Sequence, residues 1–342
     1  MPGSELIVGL DIGTTKICAV VGEAAESGID IIGIGTSPSK GLRKGVVVNI
    51  DETVQSIRKA GEEAELMAGC EISNVYAGIA GSHIKGVNSH GVIAIKGGGE
   101  VTQQDVERVI EAAKAVAIPM DRKVLHTLPQ NFIVDDQCEI ANPVGMSGVR
   151  LEANVHIVTG AVTSAQNIVR SCAKSGLDVD EVVLESLASS KSILTDEERE
   201  IGVAIVDIGG GTSDIAIFIN NAIKYTGAVA LGGDNLTSDI TLCLRTSKAA
   251  ADKLKEKHGC ALTEMVSPEE TIEVPGVGGR PARLLARREL AEICEPRMEE
   301  ILALIYQELD RPGLKRQLGA GIVLTGGGAL IPGCVELAEE LF

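Results

Sequence analysis

The sequence predicts an α/β fold built from two related halves, with a smaller α+β unit inserted in the first. Three observations carry this. Residues 6–21 (LIVGLDIGTTKICAVV) and 202–218 (GVAIVDIGGGTSDIAIF) share one plan. An apolar run ends in an Asp and a Gly/Thr turn, and a second apolar run follows, which is the pattern of a β-hairpin with its polar residues gathered in the turn. Each hairpin is followed by alternating strand and helix patterns, and between them residues 81–160 change texture to short strands around one marked helix.

At 342 residues the chain is too long for one small core and should hold two or more domains. Hydrophobic content of 44% with 23% charged residues is ordinary for a folded chain. With no Trp, three Tyr, three Phe and a net charge of −17, the composition argues against nucleic acid or anionic lipid as a direct partner. An acidic solvated surface accounts for the charge. The eight cysteines are scattered without a C-x-x-C, and most lie in apolar runs, so buried free thiols in a reducing cytoplasm explain them better than disulfides or zinc. Residues 1–5 lead straight into a strand with no signal peptide, and no run of about 18 apolar residues is present to span a membrane.

After the first hairpin, residues 28–35 read as a third strand and 45–48 as a short fourth. Asp51 is expected to cap a helix with Val54, Ile57, Ala64 and Met67 on its apolar side, ended by Gly69. Residues 74–80 form the next strand. In the insertion, strands are expected at 91–95, 122–128, 131–134 and 153–159, around a helix capped by Thr102 with Val106, Val109, Ile110 and Ala113 as its stripe. A helix through Ile168 and Cys172 stops at Gly176, a strand covers 181–184, a helix 186–194, and acidic residues 195–200 read as a linker. Beyond the second hairpin come a strand at 222–225, a helix after Gly232-Gly233-Asp234, and two helical stretches interrupted by the Gly/Pro-rich 275–281. A helix after Pro296 carries Met298, Ile301, Leu302 and Ile305. Residues 320–324 form a strand ending in Thr325 and Gly326-Gly327-Gly328, with a helix beyond Pro332. The sequence stops at Phe342, inside what should be a continuing α/β layer.

The hairpin turns have the chemistry of a phosphate site. Glycine lets backbone N–H groups approach a triphosphate without a Cβ, and threonine adds hydroxyl donors. Gly13, Thr14 and Thr15 on one side and Gly209, Gly210, Gly211 and Thr212 on the other are expected to wrap the β- and γ-phosphates. Asp11 and Asp207 would repel phosphate and suit a hydrated Mg²⁺, which keeps several waters. A single D-x-G turn is usually only a turn; two in one chain, with two further glycine turns, favour a site. Gly232, Gly233, Asp234 and Gly326, Gly327, Gly328 each follow a strand and precede a helix, and so fit the nucleoside half of the ligand. Plain helix-capping turns are the other reading of the first of these. Glu185 is a candidate for orienting an attacking water, though its place before a helix equally suits an acidic residue at a helix N-terminus. The sequence leaves Lys16 open between a phosphate contact and a surface position.

With those residues in view, DIGTTK, DIGGGTSD, ESLASS, GGD and TGGGALIPG resemble the five nucleotide-site motifs of the actin/DnaK-type ATPase superfamily. Within it the chain resembles the FtsA family of bacterial cell-division proteins. SKGLRKGVV, residues 142–160 (NPVGMSGVRLEANVHIVTG), VGGRP and EPR extend the resemblance over nearly the whole length. It implies an actin-like ATPase fold, two lobes around a nucleotide cleft, binding ATP with Mg²⁺ and at most slow hydrolysis. The inserted subdomain (1C) would stand in place of actin subdomain 1B. The implied division is 1–81 and 161–196 for subdomain 1A, 82–160 for 1C, 197–229 and 319–342 for 2A, and 230–318 for 2B. The family polymerises into filaments, binds the C-terminal tail of FtsZ through 2B, recruits later division proteins through 1C, and attaches to the membrane by a C-terminal amphipathic helix absent here. It works on the cytoplasmic face of the membrane at the septum. Arg297, Met298 and Glu300 are the candidate FtsZ face, with ordinary solvated charge as the equal alternative. A pilus-type relative such as PilM and a small-molecule kinase are the competing readings. The long stretches outside the site disfavour the first, and no sugar pocket or substrate-side base supports the second.

Overall fold

The computed structural model describes residues 6–26, 28–96 and 99–342; the expectation for residues 1–5 lies outside them. The elements run in chain order β1 (Leu6–Ile12), β2 (Lys16–Ala25), β3 (Gly28–Pro38), β4 (Leu42–Arg43), β5 (Val46–Val47), α1 (Ile50–Ala68) and β6 (Asn74–Ile79). The insertion follows as β7 (Lys85–Ala94), α2 (Gln103–Ala113), β8 (Arg122–Val134), β9 (Gln137–Ile140) and β10 (Arg150–Ala161). Then come α3 (Val162–Ser175), β11 (Asp178–Leu184), α4 (Glu185–Ile193) and α5 (Asp196–Ile201). The second half comprises β12 (Val203–Ile208), β13 (Ser213–Ile219), β14 (Ala222–Val229), α6 (Gly233–Leu244), α7 (Lys248–His258), β15 (Thr271–Val274), β16 (Arg283–Ala286), α8 (Arg287–Asp310), β17 (Ile322–Thr325) and α9 (Cys334–Leu341).

Two sheets repeat one topology. The first has the order β11-β6-β1-β2-β3 and the second β14-β13-β12-β17. In each, a hairpin is extended by a third antiparallel strand, and a later strand returns parallel beside the first: β6 beside β1, and β17 beside β12. The parallel returns need crossovers, and helices supply them. The second sheet is covered on both faces, which is why β12 and β13 read as nearly unbroken apolar runs. Val206, Ile208, Ile215 and Ile217 pack on Leu236, Ile240, Met298 and Ile301 of α6 and α8. Val203, Ile205 and Phe218 form the opposite face with Leu194 and Leu187.

In the first half, Leu10, Ile17, Ala19 and Val21 pack with Ile57, Ala60 and Ala64 of α1 and Ile168 and Cys172 of α3. The insertion has its own sheet, ordered β7-β10-β8-β9, and its own core of Val106, Val109, Phe132, Leu151, Val155 and Ile157. Its helix starts with a full capping box between Thr102 and Asp105. The eight cysteines are free. Burial pushes the Cys172 and Cys294 thiols up to about 12, as expected of inert packing groups.

Several local expectations are corrected. The cap of α1 is Asn49, whose side chain accepts from the Glu52 N–H, and not Asp51, which lies in the first turn. Met67 is exposed at the helix end. Strand β8 is continuous through Pro129, because a bulge at Gln130 accommodates the residue that cannot donate. Residues 195–200 are no linker: Thr195 and Glu198 form a second capping box that starts α5. The stretch 275–281 is the connection of the β15–β16 hairpin, and α8 begins nine residues before Pro296 and carries it inside. Buried Leu290, Ala291, Cys294 and Met298 on both sides of the proline hold the helix together despite the missing hydrogen bond.

The tightest packing in the first half sets α1 on β3. A Cβ on Gly35 would lie 2.0 Å from Ala60 O and 2.4 Å from Ala64 N, both backbone atoms of α1. A Gly35→Ala variant is therefore expected to lose about 2–3 kcal/mol of stability or more, read from denaturant unfolding. An unchanged midpoint would show that α1 can lift from the sheet at no cost.

Candidate functional site

The two hairpin turns meet across a cleft between the halves. Asp11 stands near the end of β1 opposite Cys18, and Asp207 near the end of β12 opposite Asp214. A Cβ on Gly210 would fall 1.9 Å from Thr15 Oγ1, and one on Gly211 would fall 2.7 Å from Thr14 Oγ1 and 2.9 Å from Lys44 Cα. Only glycine permits this approach. The β4–β5 hairpin closes the same corner: its turn residues Lys44 and Gly45 both have positive φ, 51° and 72°, as a two-residue turn of this twist requires. Gly45 N donates to Thr14 Oγ1 at 3.0 Å.

The cleft has a volume of about 450 Å³, within the usual span for a bound small molecule. Its walls include Asp11, Gly13, Thr14, Thr15 and Lys16 from the first hairpin, and Asp207 with Gly209, Gly210, Gly211 and Thr212 from the second. Gly233, Gly326, Gly327, Gly328 and Glu185 also line it. Lys16 thus faces the cleft. Gly232 and Asp234 stand behind the wall. The Gly233 and Asp234 N–H groups donate to Gly209 O (2.9 Å) and Gly210 O (2.8 Å), and Gly232 N donates to Asn235 Oδ1 at 3.1 Å. The start of α6 therefore braces the glycine turn with donors expected to face a ligand. Gly326 fits against Asp207, where a Cβ would lie 2.3 Å from Oδ1, and Gly328 N donates to Ile208 O at 2.8 Å. This turn does not open a helix, since α9 starts at Cys334.

Four carboxylates gather at the base of the cleft. Burial and the Asp207 charge push Asp11 up to about 6, against the opposing pull of Lys16. Burial raises Asp207, tempered by a hydrogen bond from Ser189 Oγ at 3.3 Å. Asp214 is raised to about 6 by burial, although Gly81 N (3.1 Å) and Thr212 Oγ1 (2.8 Å) donate to it. Glu185 is raised well above the ordinary range, first by burial and then by Asp11, Asp214 and Asp207. Gly78 makes its place: a Cβ there would lie 2.9 Å from Glu185 Oε1. A crowded set of acids, each raised by burial, is what a cation arriving with its ligand would relieve. Among the described residues no three His, Cys, Asp or Glu side chains converge to bind a metal directly; Asp11 and Asp207 on the cleft wall are oxygen donors of the kind a hydrated magnesium takes.

Sequence reasoning missed Asp214, although it closes the DIGGGTSD motif; only its burial beside Gly81 shows its part. It also missed Lys255, which lines the cleft from α7 and donates to Thr237 Oγ1 at 2.8 Å and Gly233 O at 3.2 Å. No local signal marks that lysine. Away from the cleft, Met298 is fully buried in the core of the second half and offers nothing to a partner. Helical spacing turns it inward while its neighbours face out. Arg297 pairs with Asp239 at 2.6 Å and with Glu300.

Asp214 makes the site's cost measurable. Its folded value of about 6 against an ordinary 3.8 means that the folded state binds the proton more tightly, so stability falls as pH rises through that window. Relative to Asp214→Asn, the ligand-free wild type is expected to lose up to about 3 kcal/mol between pH 4 and 7. Parallel pH–stability curves for the two proteins would contradict the assignment.

Comparison with known proteins places this geometry. The family model described as the SHS2 domain inserted in FTSA matches residues 81–159, and that of cell division protein FtsA matches 204–342. Cell division protein FtsA of Pseudomonas aeruginosa is 53% identical over 339 residues, covering 99% of this chain and 81% of the relative. Those of Escherichia coli and Bacillus subtilis are 45% and 40% identical, with 99% and 100% of this chain and 82% and 78% of the relatives covered. Among solved structures, the PilM–PilN type IV pilus biogenesis complex matches with TM-score 0.65 at 15% identity, covering 98% of this chain and 85% of the other. MreB5 of Spiroplasma citri bound to ADP matches with TM-score 0.56 at 15% identity, covering 100% and 90%. The fold is thus the actin-like ATPase fold with an SHS2 insertion. The chain belongs to the FtsA family of cell division proteins.

Proposed function

We propose that this chain is an ATP-binding, actin-like scaffold of the division septum. It assembles into filaments, binds the C-terminal tail of FtsZ through the second half, and recruits later division proteins through the inserted domain. It works on the cytoplasmic face of the cell membrane, linking the FtsZ ring to that membrane. The observation that carries the nucleotide part is the pair of Gly/Thr hairpins set face to face over half-buried Asp11 and Asp207.

The chemistry follows from the residues. The hydroxyls of Thr14 and Thr15 and the Gly210 and Gly211 N–H groups suit the β- and γ-phosphates, while the Gly209 N–H and the Thr212 hydroxyl hold the turn and Asp214. Lys16 adds positive charge on the same wall. Magnesium, when bound, would offset the negative charge of Asp11 and Asp207 beside a phosphate tail. Burial, then Asp11, Asp214 and Asp207, raise Glu185 well above the ordinary carboxylate range, and its place on the cleft wall suits it to orient an attacking water. Tight binding with at most slow turnover belongs to this reading. The subdomain division along 1A, 1C, 2A and 2B belongs to this reading. Arg297 and Glu300 stay as the candidate FtsZ face, without Met298.

The direct test measures Mg-ATP binding and then co-sediments the same sample with an FtsZ tail peptide. Binding of both is expected; ATP binding without peptide capture would remove the FtsZ assignment and leave the nucleotide site. Asp207→Ala should weaken ATP binding tenfold or more and lower ATP-dependent sedimentation while leaving the melting temperature close to wild type. Unchanged affinity and assembly would remove the site. Glu185→Gln should keep ATP affinity within about threefold and reduce residual turnover at least tenfold, as single-turnover phosphate release would report.

A further inference from the structure

Helix α4 ties the two halves together. It leaves the first sheet at the end of β11, and Leu187 packs both with the core of the first half and with the face of the second sheet that Leu194 also covers. Its start is held from outside: His126 Nε2, on β8, accepts from the N–H of Leu184, the residue before the helix, at 3.0 Å. Its serines divide by where their hydroxyls go. Ser190 Oγ donates to Leu187 O at 2.7 Å and Ser192 Oγ to Ser189 O at 3.0 Å, both within the helix, as serine often does. Ser189 Oγ leaves the helix, crosses to the second half and donates to Asp207 Oδ2 at 3.3 Å. Residues four apart share one face of a helix, so Ser189 stands one turn beyond Glu185, on the side that meets the carboxylates.

The other oxygen of Asp207 is confined too. A Cβ on Gly326 would lie 2.3 Å from Oδ1, and Gly326 has φ 86°, a conformation that glycine adopts readily. One oxygen therefore has a hydroxyl donor, and the other rests against backbone that leaves no room for a side chain. Asp11, the matching acid of the first hairpin, is held differently. Among the described residues nothing donates a hydrogen bond to its carboxylate, and Lys16 acts on it through charge alone. The Ser189 bond is long for a hydroxyl donor, so it biases the Asp207 carboxylate toward one rotation and leaves it free to adjust when a ligand arrives. An oxygen donor oriented beforehand loses less freedom on binding.

We propose that Ser189 is a positioning residue for the divalent cation that accompanies the nucleotide. Its hydroxyl presets Asp207 as the better ordered of the two acidic oxygen donors, and α4 carries that setting from the first half to the second. The inference rests on the nucleotide reading above.

The experiment measures binding of a fluorescent ATP analogue to the full chain at rising magnesium concentration and again in EDTA, for wild type and Ser189→Ala. The alanine variant should need about fivefold more magnesium for half-maximal binding. Its affinity in EDTA should change less than about twofold, and its melting temperature should stay at the wild-type value. Ser189→Thr, which keeps the hydroxyl, should remain within about twofold of wild type on both binding measures. Equal weakening with and without magnesium would make Ser189 a packing residue and overturn the proposal, as would an alanine variant that matches wild type throughout. Wild-type binding that is the same with and without magnesium would also overturn it, and would leave the nucleotide site standing. Failure of wild type to bind the analogue would overturn both, which tells the two readings apart. Should Ser189→Ala not fold, Ser189→Cys decides on the same measures, since a thiol nearly keeps the volume and is a weak donor.

Discussion

The structure depends on one close approach: the glycine turn of the second hairpin against the threonine turn of the first. Hypothetical Cβ atoms on Gly210 and Gly211 would overlap the hydroxyls of Thr15 and Thr14, so the two halves meet here backbone to side chain. Much of the local design serves that approach. The start of α6 spends its N–H groups on the carbonyls of Gly209 and Gly210, fixing the turn from behind. The Lys44–Gly45 turn fixes Thr14 from the side. The cleft of about 450 Å³ opens where these two turns meet.

Placing acids under that seam carries an electrostatic cost. Asp11, Glu185, Asp207 and Asp214 are each raised by burial, and three of them also by one another. Lys16 offsets part of this at Asp11 alone. An arrangement that disfavours its own ionised form gains most when a cation arrives, and so stability and ligand occupancy are coupled at one place.

The inserted domain gives the fold a third body touching the site. Its root donates to Asp214, its strand β8 supports the residue before Glu185, and its bulge meets the bulge of β14. It has a core of its own, yet Ile84 and Val158 pack in the core of the first half and Leu128 against a face of the second sheet, so apolar packing anchors it to both.

The periodicity of the sequence was enough for the duplicated hairpins, the insertion and the glycine turns, because these follow from local alternation and from the backbone freedom of glycine. Boundaries set by competing caps were not legible: Asn49 rather than Asp51 accepts the first donor of α1, and Thr195 with Glu198 turns an apparent linker into a helix. Pro129 and Pro296 read as breaks, yet a bulge and a well-packed helix absorb them. Of the site, the sequence alone determined Asp11, Asp207 and the Gly/Thr turns. Only the tertiary structure decided that Asp214 and Lys255 join the cleft, that Met298 is buried, and that the donors of Gly233 and Asp234 are already used. The reason is physical: which face of an element is buried, and which polar group meets which, depends on neighbours far away in the chain, and no local pattern encodes them.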